Sequence, residues 1–64
     1  MQGTVKWFNR KKGYGFIQGE DQKDYFVHYT AVESGIFLKE TDKVTFDPVE
    51  DQKGMQAHNV KLAQ

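Results

Sequence analysis

Tyr14, Phe16, Phe26 and His28 are the side chains in this 64-residue chain whose spacing could do chemistry. They fall in two short runs, Lys12-Gly13-Tyr14-Gly15-Phe16-Ile17 and Tyr25-Phe26-Val27-His28-Tyr29. In an extended strand, residues i and i+2 share a face. Tyr14 and Phe16 therefore point one way, and Phe26 and His28 form a matching pair. Apolar groups gathered on an outer face mark binding surfaces. Flat rings flanked by lysines suit unpaired nucleobases, which stack on aromatics while the ammonium groups meet phosphates.

The competing reading is that these rings are core, where strand aromatics usually pack. Alternation argues against it. Gly15, Ile17 and Val27 occupy the opposite face and can line an interior, and a domain this small cannot bury both faces of the same strands. Trp7 and Phe8 are divided between core and platform by pattern alone, and Lys6 beside Trp7 favours the outer position. Tyr29 and Phe37 could either stack or cover an open end of the fold. Gly13 serves a turn, while Gly15 clears room for bases or neighbouring rings.

The elements that must hold these rings are short and separated by close turn signals, the mark of an all-β barrel or sandwich. Residues 4–9 read as a first strand, 14–18 as a second, 24–29 as a third, 43–50 as a fourth and 55–62 as a fifth. Arg10-Lys11-Lys12-Gly13 is a polar turn, 19–23 a hairpin loop and 51–54 another turn. Thr30-Ala31-Val32-Glu33 has the form of a capping box, so a short helical turn starts there and Ser34-Gly35 ends it. Val44, Phe46 and Pro48 share a face of the fourth strand. Pro48 cannot donate to a ladder, which suits an edge or a strand end. Five strands with one long connection between the third and fourth predict a closed five-stranded antiparallel OB-type barrel. Its core candidates are Val5, Ile17, Val27, Val32, Val44, Phe46 and Val60. Strict alternation would place Val5 and Trp7 on the same face, so an outward Trp7 requires a bend or bulge between them.

Composition bounds the rest. The chain forms a single domain over residues 1–64, near the lower size limit for folding alone. It contains no cysteine, hence no disulfide and no thiolate ligand or nucleophile. Its apolar runs are too short for a membrane helix, and no segment reads as a targeting sequence. Nine basic residues balance nine acidic ones, unlike a dedicated duplex binder. Yet Lys6, Arg10, Lys11 and Lys12 fall within the first sixteen residues, which hold no acid. This predicts a basic strip beside the rings and an acidic back, with Lys12 in contact and Arg10 and Lys11 as weaker electrostatic helpers.

These residues also carry a resemblance. Lys6-Trp7-Phe8-Asn9 looks like the first-strand signature of the cold-shock domain family. Lys12-Gly13-Tyr14-Gly15-Phe16-Ile17 and Phe26-Val27-His28-Tyr29 look like its two ribonucleoprotein motifs, and Gly54-Met55-Gln56-Ala57-His58-Asn59-Val60 is similar to its final strand. The match runs in order along essentially the whole chain. It implies a five-stranded OB-type barrel that binds single-stranded RNA and DNA, with some preference for pyrimidines. It implies stacking by Trp7, Tyr14, Phe16, Phe26, His28, Tyr29 and Phe37, with Phe8 beside the platform. Lys6, Lys12 and Lys53 match positions that meet backbone or base polar groups, and Asp24 and Gln56 match positions that hydrogen-bond base edges. Bacterial members act as RNA chaperones, melting weak secondary structure, and some regulate transcription. The chain is accordingly expected to be a cytoplasmic monomer without cofactor, metal or catalytic residue.

Departures from that pattern are visible. The segment after Phe37 is about two residues shorter, and Met55 stands where proline is common. His58 stands where a small or aliphatic residue is usual. Tyr25 replaces an inward valine, so its hydroxyl needs a partner. Three other readings compete. His28 with Asp24 and His58 lacks the marks of a tetrahedral metal site or of an oriented catalytic base. Gly13-Tyr14-Gly15 begins like a dinucleotide fingerprint, but Gln18 holds the third glycine's place and no helix follows. A small SH3-like barrel binding extended peptides would also expose aromatics; the lysines and the Gly-aromatic-Gly-aromatic run favour nucleic acid.

Overall fold

The computed structural model describes residues 1–52 and 54–63. Five strands follow in order: β1 (Gln2–Asn9), β2 (Tyr14–Gly19), β3 (Asp24–His28), β4 (Lys43–Asp51) and β5 (Gly54–Leu62). They close into a barrel in the order β1-β2-β3-β5-β4. The hairpin neighbours and the closing β1–β4 pair run antiparallel, whereas β3 meets β5 in parallel at Phe26↔Gln56. The long connection after β3 carries the chain across the barrel end, which lets β5 return alongside β3. Closure leaves few strand edges, which a small all-β chain needs.

Side-chain alternation sets the two faces, and two bulges reset it. On β1 the register slips between Val5 and Trp7, which pair with Ile17 and Phe16. The extra β1 residue lets Val5 point in and Trp7 out, as an outward Trp7 requires. On the β4–β5 pair the register slips between Thr45 and Asp47, which face Lys61 and His58. Here the extra residue lies on β5, and Asn59 takes a left-handed φ of 53°, a conformation asparagine tolerates better than most residues. The slip makes Ala57 and Val60 both face inward despite their odd spacing, and leaves His58 exposed.

The core comprises Val5, Ile17, Tyr25, Val27, Leu38, Val44, Phe46, Ala57 and Val60, with Phe8, Val32, Ile36 and Met55 packed against it. Val32 is half-buried rather than central; it bridges Val60 at the barrel end. Pro48 keeps the alternation of Val44 and Phe46 and pairs with buried Ala57, yet it is exposed. It lies where β4 has run past its register with β1, which ends at Gln2↔Thr45, so the edge position expected of a proline is met.

The helical turn forms two residues early. A 3-10 turn spans Tyr29–Ala31 with His28 at its N-cap, so the expected Thr30/Glu33 capping box does not form. The Glu33 amide instead donates to the Val60 carbonyl at 2.9 Å. The chain must rejoin β5 immediately, which leaves no room for a second turn, and Tyr29 belongs to this turn rather than to β3.

Tyr25 finds its partner locally. Its ring is buried against Phe46, with centroids 5.0 Å apart, and its hydroxyl donates to Asp21 Oδ2 at 2.6 Å. That hydrogen bond holds the Asp21 carboxyl below its usual 3.8 and, with burial, pushes the Tyr25 phenol up from 10.0 to about 12. The sign follows from linkage. Asp21's contribution is present above its ordinary value and is lost as pH falls through its lowered one. Tyr25's is present below 10.0 and is lost as pH rises through about 12. Thermal melts of Tyr25→Phe should therefore fall below the parent at neutral pH, and the gap should close in strong acid and strong alkali. A gap independent of pH would contradict this linkage.

Candidate nucleic-acid interface

β2 and β3 pair in a register that sets rings opposite one another: Tyr14 faces His28, and Phe16 faces Phe26. All four are half-buried, with their neighbours Gly15, Ile17, Tyr25 and Val27 buried on the other side. The β1 bulge brings Trp7, 39% exposed, beside Phe16.

The rings form a closed circuit. Trp7 lies 5.6 Å from Phe16 and 5.8 Å from Tyr14, and Phe26 lies 5.7 Å from Tyr14 and 5.8 Å from Phe16. Two contacts are edge-on and two are tilted. An edge-to-face contact is held by the aromatic quadrupole and occupies one face of only one of its two rings, so other faces remain for an incoming π-system. His28 and Tyr29 extend the surface, with centroids 4.6 Å apart. The imidazole Nδ1 lies 2.9 Å from Thr30 Oγ1, which fixes its rotation.

Polar groups border the rings. Lys6 Nζ lies 3.2 Å from Asp24 Oδ2 and 3.3 Å from Oδ1, both side chains about half exposed. This ion pair places the lysine and the acid expected to meet a ligand against each other, so either must let go to engage one. Gln56 sits across from Phe26 through the β3–β5 pairing. Lys12 is exposed on the β1–β2 turn, which is tied by Asn9: its side-chain oxygen accepts from the Lys12 amide at 2.9 Å and its carbonyl from the Gly13 amide at 2.7 Å. Lys53 lies outside the described residues.

A groove of about 800 Å³ opens between that turn and the 34–38 loop, with Phe8, Lys12, Tyr29 and Phe37 among its walls. Phe8 packs on the core from the groove floor, whereas Tyr29 and Phe37 are 61% and 64% exposed. Neither of these two rings caps the barrel. Arg10 carries more than sequence reading assigned it: its Cζ stands 4.5 Å from the Phe37 ring centroid. Contacts of this kind join residues far apart in sequence, and no spacing signals them. Among the described residues, no three histidines, cysteines or acids come together in a way that could hold a metal.

The glycines fix how closely the parts approach. At Gly15, an added Cβ would collide with the Trp7 carbonyl oxygen and stand 2.7 Å from Phe8 Cα. The space Gly15 clears is thus for β1's backbone and the Phe8 ring, not for a base. Gly13 has a φ of +79°, and a Cβ there would stand 2.7 Å from the Tyr29 ring. Gly15→Ala should cost about 1–3 kcal/mol through overpacking, read as a lower urea midpoint; an unchanged midpoint would show that β1 can shift freely.

The fold and this surface can be set beside known proteins. The family model of the 'Cold-shock' DNA-binding domain matches residues 1–63. Cold shock protein 1 of Lactiplantibacillus plantarum is 57% identical over 60 residues, covering 91% of each chain. Cold shock protein CspC of Bacillus subtilis is 52% identical over 64 residues, covering 97% of each. Among solved structures, drosophila Unr CSD456 superposes with a TM-score of 0.81 at 28% identity, over 98% of this chain and 26% of that longer one. A closed five-stranded barrel in this strand order is the architecture of OB-type domains. The chain belongs to the cold-shock domain family within that class.

Proposed function

We propose that this protein binds single-stranded RNA and DNA by stacking unpaired bases on the Trp7–Tyr14–Phe16–Phe26 circuit and its His28 extension. The observation that carries the reading is the edge-wise packing of these rings on the outer face, bordered by Lys6 and Lys12. Tyr29, Phe37 and Phe8 continue the track, while Asp24 and Gln56 offer hydrogen bonds to base edges, and Lys53 adds charge. Each stacked base contributes roughly 1–3 kcal/mol. A four-base stack, less the cost of ordering a flexible strand, corresponds to a Kd on the order of micromolar.

Every base has a flat face, so selectivity is broad, with thymine and uracil favoured by family resemblance. RNA and DNA bind comparably, because stacking does not require the 2′-hydroxyl. Holding one strand draws folded RNA toward its open form by mass action. The protein therefore acts as an RNA chaperone that needs no nucleotide triphosphate, and by the same means it regulates transcription or translation. It works as a cytoplasmic monomer and is not an enzyme.

Trp7 is the sole tryptophan and touches Tyr14 and Phe16, so it reports directly. Its fluorescence should fall on titration with a pyrimidine oligomer, saturating near micromolar concentration. With about three phosphate contacts at ~0.7 each, log K should fall against log salt with a slope of about −2. An unchanged spectrum with oligonucleotide, alongside a shift with a proline-rich peptide, would overturn the reading.

A further inference from the structure

One exposed ring stands apart from the four-ring circuit. Phe37 lies on the irregular segment after the 3-10 turn, between half-buried Ile36 and buried Leu38. Leu38 anchors the backbone there, but the Phe37 ring projects outward and is 64% exposed. A ring in that setting is free to rotate, and fixing it on binding costs conformational entropy. The contact made to its face is the Arg10 guanidinium, 4.5 Å from the centroid. Arg10 comes from the β1–β2 turn, whose conformation is set by the Asn9 hydrogen bonds and by Gly13. The guanidinium therefore reaches Phe37 from a braced position across the groove.

We propose that Arg10 is a positioning residue, whose guanidinium packs on one face of Phe37 and fixes the ring so that its other face takes a nucleobase of a strand that runs beyond the four-ring circuit. This rests on the stacking reading above. A guanidinium is planar and weakly hydrated and stacks on a ring, and a ring has two faces, so the second remains for the base. The arrangement is a layered stack of cation, ring and base, prepared before the ligand arrives. A lysine at position 10 would keep the charge but lose the plane.

The test is binding of a thymidine octamer at two salt concentrations by the parent protein, Arg10→Ala, Arg10→Lys, Phe37→Ala and the Arg10→Ala/Phe37→Ala double variant, each first checked for a parent-like thermal melt. An exposed cation–π contact corresponds to about a 2- to 5-fold change. Arg10→Ala should weaken binding by that factor and Arg10→Lys should restore only part of it. The double variant should bind no more weakly than Phe37→Ala alone, and the salt slope of Arg10→Ala should match the parent. Additive losses, or a slope shallower by ~0.7, would mean that Arg10 meets a phosphate instead. Full recovery by Arg10→Lys would place the effect in charge alone. Tighter binding by Arg10→Ala would mean that the guanidinium occupies the base's place, and no change would mean that it does nothing; each of these overturns the proposal. A thymidine tetramer separates the two readings: if the parent binds it and the Arg10 results fail, only this inference falls, whereas a parent that binds neither oligomer removes the stacking reading and this one with it.

Discussion

Phe16→Ala should bind an unpaired pyrimidine oligomer about 5- to 150-fold more weakly than the parent while keeping the barrel folded. The range is one base stack, roughly 1–3 kcal/mol, converted to affinity. Phe16 stands at the centre of the surface: it faces Phe26 across β2–β3 and Trp7 across β1–β2, so its loss removes one stacking face and loosens two more. The fold should survive because the ring lies on the outer side of β2, and Ile17 on the inner side stays fully buried. The tilted contact with Trp7 and the edge-on contact with Phe26 are worth roughly 0.5–1.5 kcal/mol each, so a drop in Tm is expected as well. In a domain of this size 1 kcal/mol corresponds to about 4–8 °C. Anisotropy of a labelled oligomer at fixed salt measures the first effect and far-ultraviolet circular dichroism the second. A variant that fails to fold would show that Phe16 is core.

Phe46→Ala should do the opposite, abolishing most of the folded population before binding can be asked about. Phe46 is 2% exposed and packs on Tyr25 at 5.0 Å. It also lies opposite the β5 bulge, where its backbone amide donates to the Met1 carbonyl at 2.8 Å. Truncating a buried phenylalanine costs about 3–5 kcal/mol. A single core below about 70 residues seldom supplies more than that in total. The two phenylalanines thus form a matched pair, one outside the barrel and one inside it. Urea titration followed by circular dichroism decides it: a native baseline with a parent-like midpoint for Phe46→Ala would mean that the interior repacks far better than its burial suggests.

What the sequence made legible follows the pleat. Where a strand runs without interruption, as in β2 and β3, period-two alternation separates Ile17 and Val27 from Phe16 and Phe26, and the structure agrees. Where a bulge resets the pleat, alternation misleads unless the bulge is foreseen. Trp7 could be placed outward only by invoking one on β1. The β5 bulge gives no such cue, which is why alternation does not pick out Ala57 as core; Pro48 keeps its alternation and is exposed because β4 there has run past β1. Leu38 was missed for a different reason: its segment has no repeat, and its burial comes from tertiary packing alone. Tyr25 showed that it needed a hydroxyl partner but not which one, because the turn that brings Asp21 close is a three-dimensional fact. The ion pair of Lys6 with Asp24 and the stacking of Arg10 on Phe37 are hidden likewise, since both join residues that only the folded chain makes neighbours.

The far half of β4 has a consequence for life on a shared strand. Beyond Thr45 this strand outruns its β1 register, and after Phe46 its residues are Asp47, Pro48, Val49, Glu50 and Asp51. Proline offers no amide proton, and acidic side chains repel their own kind, so this lip makes a poor template for another copy's backbone. Many barrels crowded along one long RNA would experience very high local concentrations of each other. On the proposed binding, the blunt lip would let them sit side by side without zipping into a continuous sheet.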